Sequence, residues 1–444
     1  MQSSGGTGAE MAKVFISVLG TSDYRDCFYC IGDEPICHSV RFVQEALVNH
    51  VCKDWSVNDR ILIFTTEKSE EKNWRDDGHI DRNSGEVIPR EGLRKKLVGL
   101  NVKPRLKSVR IPDGKNEEEV WRIFEILFDN LKSDDEIVFD ITHAFRSIPM
   151  LVMTVLNYAK VTKRVSLSQI YYGNYEARDM DSNHAPIFDL SVFDNLLDWT
   201  FAIDSFLTSG DGTRVSELAG KSMNKVLKKT KGCDSDARLL KTIATKLNEF
   251  SQNISTCRGP NISEDVNFLR ENIKLYQRSE HLKAFKPLLD LVQTKLDSFR
   301  NDPFCDGLAA SRWCLDQNLI QQGFTILQES IVTFLVVALD GKTLDVTERE
   351  IASQSVNNHF SKRDPIDWRP PTRDNMERTQ AYLKLISRYP GLSATFDQIS
   401  GYRNDLNHAG WREDKRTASK FRLNLENLIN KIESLTLAND ASAI

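Results

Sequence analysis

EIVFDITHAFRSIPMLVMTVLNYAKV, residues 136–161, decides the fold, because its apolar pattern changes period once along its length. Residues 136–142 form a short apolar run rich in β-branched side chains, which predicts a strand, and residues 149–161 carry helical spacing. Between them stand small and hydroxyl residues, Arg146 and then Pro149, which suits a first helical turn. A strand that passes through a polar turn straight into a helix is half of a βαβ unit.

The pattern repeats outward from this stretch. VFISVLG (14–20), RILIFTT (60–66), LKSVRIP (106–112) and SQIYYG (168–173) are of strand length, while VRFVQEALVNHV (40–51) and EEEVWRIFEILFDNL (117–131) are helical. Alternating strands and helices predict an α/β first half, a Rossmann-like doubly wound and mostly parallel sheet. Lys68 to Arg94 reads as a long polar loop, and a loop of that size often carries function. Beyond about residue 190 the strand signal fades. Helical patterns follow at 215–229, 236–254, 282–299, 319–339, 396–410 and 420–437, so the second half is expected to be all-α. The polar segment 340–375, with Pro365, Pro370 and Pro371, reads as a loop within it. No fixed-period repeat supports a helical solenoid. The expected boundaries are 1–10 as an added leader before a native start at Met11, then 11–200 and 201–444.

The 444 residues are 40% hydrophobic and 27% charged, which describes a soluble globular protein rather than a disordered or membrane one. No stretch approaches bilayer-spanning length, and no signal-peptide pattern opens the chain. Eight cysteines are then expected as reduced thiols in the cytoplasm. Cys27, Cys30, Cys37 and His38 make the densest run, but a single CxxC without a second pair predicts loop cysteines and no metal site. The formal charge of -4 gives no bulk basic surface, so any RNA contact must be local or shared between subunits.

Three motifs fall at C-terminal strand ends, the edge where open α/β sheets bind ligands. They are LGTSDY (Leu19 to Tyr24, with Gly20, Thr21 and Ser22), TTEKS (Thr65, Thr66 to Ser69) and DITHAFRSIP (Asp140 to Pro149). In the last, a helix N-terminus, Thr142 or Ser147 and the Arg146 guanidinium suit a phosphate. No GxGxxG or GxxxxGK[ST] loop is present, which disfavours a dinucleotide cofactor or a nucleoside triphosphate. Tyr172 and Gly173, in YYGNY, add aromatic faces for a base.

A second constellation is Arg403-Asn404-Asp405-Leu406-Asn407-His408. RNA cleavage without metal needs a proton taken from the 2′-hydroxyl, one given to the 5′-oxygen, and charge stabilised on the phosphoryl oxygens. Histidine and arginine supply these functions. On an ideal helix the two side chains stand about 140° apart, so one isolated helix presents them poorly and a second subunit would complete the groove. The competing reading is a solvated helix face with an Arg–Asp contact.

Together, SVLGTSDY, TTEKS with Asn73 and Trp74, DITHAFRSIPM, IYYGNYEA, LLDW (196–199), RWCLDQNLIQQGFTILQESI (312–331) and RNDLNHAG (403–410) resemble the CARF–HEPN ribonucleases of type III CRISPR systems. The resemblance implies a CARF domain that binds cyclic oligoadenylate across the twofold axis of a dimer, followed by a HEPN ribonuclease domain. It assigns Gly20, Thr21 and Ser22 to the loop after strand one. Thr142, His143, Phe145, Arg146 and Ser147 match the principal messenger-binding loop, with Ala144 where many relatives carry glycine. Arg403 and His408 match the Rx4H pair, with Asn404 a polar helper. The expectation is a homodimer or higher homo-oligomer that needs no cofactor, is activated by cyclic tetra-adenylate in preference to hexa-adenylate, and cleaves single-stranded RNA. Two alternatives stay open: cleavage of the cyclic messenger by the first domain itself, and a non-catalytic scaffold that binds RNA or protein.

Overall fold

Lys13–Leu19 (β1) shows why the first half forms a sheet covered on both sides. Val14, Ile16 and Val18 enter one apolar core and Phe15 and Leu19 the other, and all five are buried. A strand buried on both faces reads as an unbroken apolar run instead of an alternating one. The structure, a computed structural model, describes residues 11–81, 83–143, 148–278, 283–411, 413 and 415–440. It divides into two compact units, one ending at Asn195 and the other beginning at Leu196.

Among the described residues the first unit holds ten strands: β1, β2 (Phe28–Ile31), β3 (Glu34–Pro35), β4 (Arg60–Thr65), β5 (His79–Ile80), β6 (Val87–Ile88), β7 (Arg105–Arg110), β8 (Glu136–Asp140), β9 (Ser166–Gly173) and β10 (His184–Asp189). Eight form one sheet in the order β3-β2-β10-β9-β8-β1-β4-β7. β4, β7, β8 and β9 run parallel with β1 through their neighbours, β10 is antiparallel to β9, and β2 is parallel to β10. The doubly wound, mostly parallel class is therefore present. Register pairs Leu19 with Thr65, Ser17 with Asp140 and Asp140 with Tyr171, so the strand-end motifs line one edge.

Several expectations need correction. Residues 68–94 are not an open loop: they contain a π-helical turn, Glu70–Trp74, and the β5–β6 hairpin. A helix, Leu93–Gly99, starts at the end of that segment. β2, β3 and β10 gave no strand signal, because β10 carries Pro186 and β2 lies within the cysteine-rich run.

Among the described residues of the second unit, every regular element is a helix. Helix Pro303–Asp316 joins its two cores, giving Ala310, Trp313 and Cys314 to one and Phe304, Leu308 and Leu315 to the other. Segment 340–375 is not simply a loop, since Val346–Ser361 is a helix whose N-cap Asp345 accepts a bond from Glu348 N. Its few buried residues, among them Ile351, Ala352 and Val356, make too weak an apolar stripe to be read from sequence. Helix Ile320–Ala338 is long and apolar enough to cross a membrane, contrary to expectation, but 56% of its apolar window is buried within the protein. Phe324, Leu327, Ile331 and Leu335 place it in the second core.

Candidate functional site

β8 ends at Asp140, which is fully buried. Its carboxylate accepts bonds from Ser17 Oγ (2.7 Å), Thr142 N (3.0 Å) and Thr142 Oγ1 (2.6 Å). Burial still holds this carboxyl above its ordinary range, against the pull of those donors. Gln44 Nε2 donates to Ser17 Oγ at 3.1 Å, and Gly173 N donates to Thr142 Oγ1 at 2.8 Å. Thr142 thus ties the end of β8 to the end of β9. A Cβ at Gly173 would sit 2.7 Å from Val43 Cγ2, so glycine lets this strand end pack against helix Val43–Val51.

The turn after β1 meets the same edge. A Cβ on Gly20 would lie 2.3 Å from the Tyr24 hydroxyl and 3.3 Å from the His143 carbonyl oxygen. The Tyr24 ring lies on the His143 ring, with centroids 4.2 Å apart, and meets Phe42 edge-on at 5.8 Å. Burial raises the Tyr24 phenol well above its usual value, although the Gly20 backbone amide pulls the other way. Burial also pushes His143 down to about 4, so its imidazole is neutral at pH 7. Among the described residues, His143 Nε2 has no hydrogen-bond partner. The result is a neutral, aromatic and partly desolvated corner at the strand ends.

The structure brings Gly20, Tyr24, Thr142, His143 and Gly173 together, with Thr21 and Ser22 on the same turn. Thr65 and Thr66 stand on this edge but turn their hydroxyls inward. Thr65 Oγ1 is 3.1 Å from Ser108 Oγ, and Thr66 forms a capping box with Ser69. Tyr172 is half-buried and faces Phe188 across 6.5 Å. Ala144, Phe145, Arg146 and Ser147 lie outside the described residues. Asp140 and Ser17 escaped selection because each reads as an ordinary polar residue in a strand. Asn73, quoted only within the resemblance, donates from Nδ2 to Gly20 O (2.9 Å) and Ser22 O (3.0 Å).

In the second unit, Arg403 and Asn404 sit on helix Leu392–Asn407 and His408 is its C-cap. Ala409 and Gly410 follow with φ of 51° and 72°, and this left-handed pair ends the helix just beyond His408. Asn404 and His408 are exposed and Arg403 is half-buried. Arg403 Nη1 donates to Gln328 Oε1 at 3.2 Å, while its Nε is buried without a partner among the described residues. Gln321, one turn pair earlier on helix Ile320–Ala338, donates to Asn407 Oδ1 at 3.1 Å. The Arg–Asp contact of the competing reading goes elsewhere: Asp405 is buried and accepts from Arg416 N (3.0 Å) and the Arg416 guanidinium (3.4 Å). Among the described residues, Arg403 is therefore held by a neutral amide and meets no carboxylate. Gln321 and Gln328 were legible only as polar positions seven apart on one apolar helix.

Among the described residues, no group of three His, Cys, Asp or Glu side chains is placed to hold a metal ion. Burial lifts the thiols of Cys27 and Cys37 to about 11, which keeps them protonated at pH 7.

Comparison with known proteins agrees with this division. Residues 14–176 match the family model of the CRISPR system endoribonuclease Csx1, CARF domain, and residues 195–302 match the second domain of CRISPR-associated protein MJ1674. CRISPR-associated protein MJ1674 of Methanocaldococcus jannaschii is 25% identical over 358 residues, covering 72% of this chain and 53% of the relative. The chain thus spans about half the length of the curated relative it matches. With its strand-end site inside the matched region, the first unit is a CARF domain of the kind found in CRISPR-associated proteins.

Proposed function

We propose that this chain is an endoribonuclease of type III CRISPR antiviral defence, switched on by a cyclic oligoadenylate bound at the strand-end edge. The observation that carries the reading is the pairing of two features in one chain. A CARF sheet edge gathers Gly20, Tyr24, Thr142 and His143, and a helix end presents Arg403 and His408, the arginine meeting no carboxylate among the described residues. Backbone amides and a neutral aromatic corner suit the phosphates and bases of a small nucleotide ring. Arg146 is assigned to that ring by the resemblance alone.

At the helix end the chemistry is transesterification. The 2′-hydroxyl of single-stranded RNA loses its proton and attacks the adjacent phosphorus, the 5′-oxygen leaves and takes up a proton, and a 2′,3′-cyclic phosphate remains. His408 moves the protons and Arg403 stabilises charge on the phosphoryl oxygens, with Asn404 as a polar helper. A HEPN domain contained within residues 201–444 works as a homodimer, whose two copies of helix Leu392–Asn407 make one groove. Messenger binding favours the arrangement in which that groove is formed. No metal ion is required for either step, and the setting is the cytoplasm.

The deciding experiment offers labelled single-stranded RNA to the full chain with cyclic tri-, tetra- and hexa-adenylate, with and without EDTA. Cleavage that appears with the tetra-adenylate and survives EDTA supports the reading. No product with any ring defeats it in favour of a scaffold that binds RNA or protein. A second reading, cleavage of the messenger by the CARF domain, gains support from His143, whose neutral Nε2 has no partner among the described residues. Thin-layer analysis of labelled messenger after incubation separates the two.

A further inference from the structure

The first unit contains a brace on the turn after β1 that the strand-end motifs do not include. Asn73 is fully buried in the π-helical turn Glu70–Trp74. Its amide spends both N–H groups on the carbonyl oxygens of Gly20 and Ser22, at 2.9 and 3.0 Å. Its Oδ1 is then left as an acceptor, and it faces His79 Nε2 at 2.9 Å. An Asn flipped the other way would set oxygen against two carbonyl oxygens, so His79 must carry its hydrogen on Nε2. His79 is buried on β5, and burial lowers its affinity for a second proton, so it holds Asn73 as a neutral donor.

Peptide geometry turns this brace into a statement about the site. In a trans peptide the C=O and the following N–H point in opposite directions. Drawing Gly20 O and Ser22 O back toward Asn73 turns the Thr21 and Asp23 N–H groups the other way. Among the described residues neither N–H meets an acceptor. Carbonyl oxygens would repel a phosphate and N–H groups attract one. The base of the β5–β6 hairpin also handles the acidic side chain between Gly20 and Tyr24: Arg90 Nη1 lies 2.5 Å from Asp23 Oδ1. Arg90 is itself fixed by its backbone N–H, which donates to Asp77 Oδ1 at 2.8 Å.

We infer that Asn73, His79 and Arg90 are positioning residues of the strand-end site, which sort its carbonyls inward, its amides outward, and mask the Asp23 charge from a bound anion. The inference rests on the proposed function, which supplies the anion.

The test is isothermal titration of the full chain with cyclic tetra-adenylate and, separately, hexa-adenylate. Asn73→Ala is expected to weaken binding at least tenfold. His79→Leu is expected to weaken it several-fold and His79→Gln, which keeps an N–H facing Asn73, to recover most of the loss. Arg90 is on the surface, so Arg90→Ala folds even if the buried variants do not. It should weaken binding about threefold, and adding Asp23→Asn should restore it. A wild-type chain that binds neither ring removes the functional reading and this inference with it. Wild-type binding together with unchanged affinity in Asn73→Ala overturns the inference alone, as does unchanged affinity in Arg90→Ala where Asn73→Ala does not fold.

Discussion

The strand-end edge and the helix end are built to opposite specifications. At the strand ends, buried hydrogen bonds run from Gln44 through Ser17, Asp140 and Thr142 to Gly173, and Asn73 and His79 hold the neighbouring turn. At the helix end, Arg403 has one tether to Gln328, and Asn404 and His408 stand in solvent. The comparison teaches that a site for recognition is fixed inside one fold, whereas exposed reactive groups await something that covers them. Burial gives the first its geometry, and under the proposed function exposure leaves the second to be completed by RNA and a second copy.

The sharpest way to break the contrast is His408→Ala. If the exposed imidazole moves the protons, stimulated RNA cleavage falls by about 10² to 10⁴ while calorimetric messenger affinity is unchanged. Retained cleavage would remove the helix end from the chemistry.

The next effect belongs to the strand ends and is read by pH. The folded chain keeps His143 neutral down to about pH 4, while an unfolded histidine protonates near its ordinary value. Its contribution is therefore complete above about pH 6.5 and is lost as pH falls toward 4, roughly 3 kcal/mol at most. Denaturant midpoints at pH 7 and pH 4.5 should draw together in His143→Asn, because that variant lacks the titrating group. An equally steep loss in both proteins would show that His143 is not desolvated.

Asp140→Ala tests whether the buried bonds hold the edge. It leaves Thr142 N and Oγ1 without their shared acceptor, at a cost of about 2 kcal/mol, and should lower the melting temperature and messenger affinity together. An unchanged melting temperature would make Asp140 a passenger. The smallest effect is expected from Gln328→Leu, which releases Arg403. Cleavage should drop about tenfold, near 1.4 kcal/mol, with messenger affinity unaltered. Equal cleavage would show that the single tether does not orient the guanidinium.

Periodicity made β1, β4 and β8 legible, because each is buried on both faces and must be apolar almost throughout, whereas the edge strand β7 buries only Val109. It also exposed the long helices whose stripes line the two cores of the second unit. It failed where tertiary contacts override local preference. β10 pairs through Pro186, and Val346–Ser361 is a helix with few buried apolar residues.

By itself, the sequence determined the alternation of the five parallel strands with helices, the placing of GTS and DITH at strand ends, and the Arg403–His408 spacing, since these follow from period and turn chemistry along the chain. Only the tertiary structure decided which polar groups meet. Asn73 finds Gly20 across 53 residues, Asp140 finds Ser17 across 123, and Arg403 finds Gln328 across 75. The physical reason is that a buried polar group must pair, but its partner is chosen by proximity in space, which local pattern does not encode.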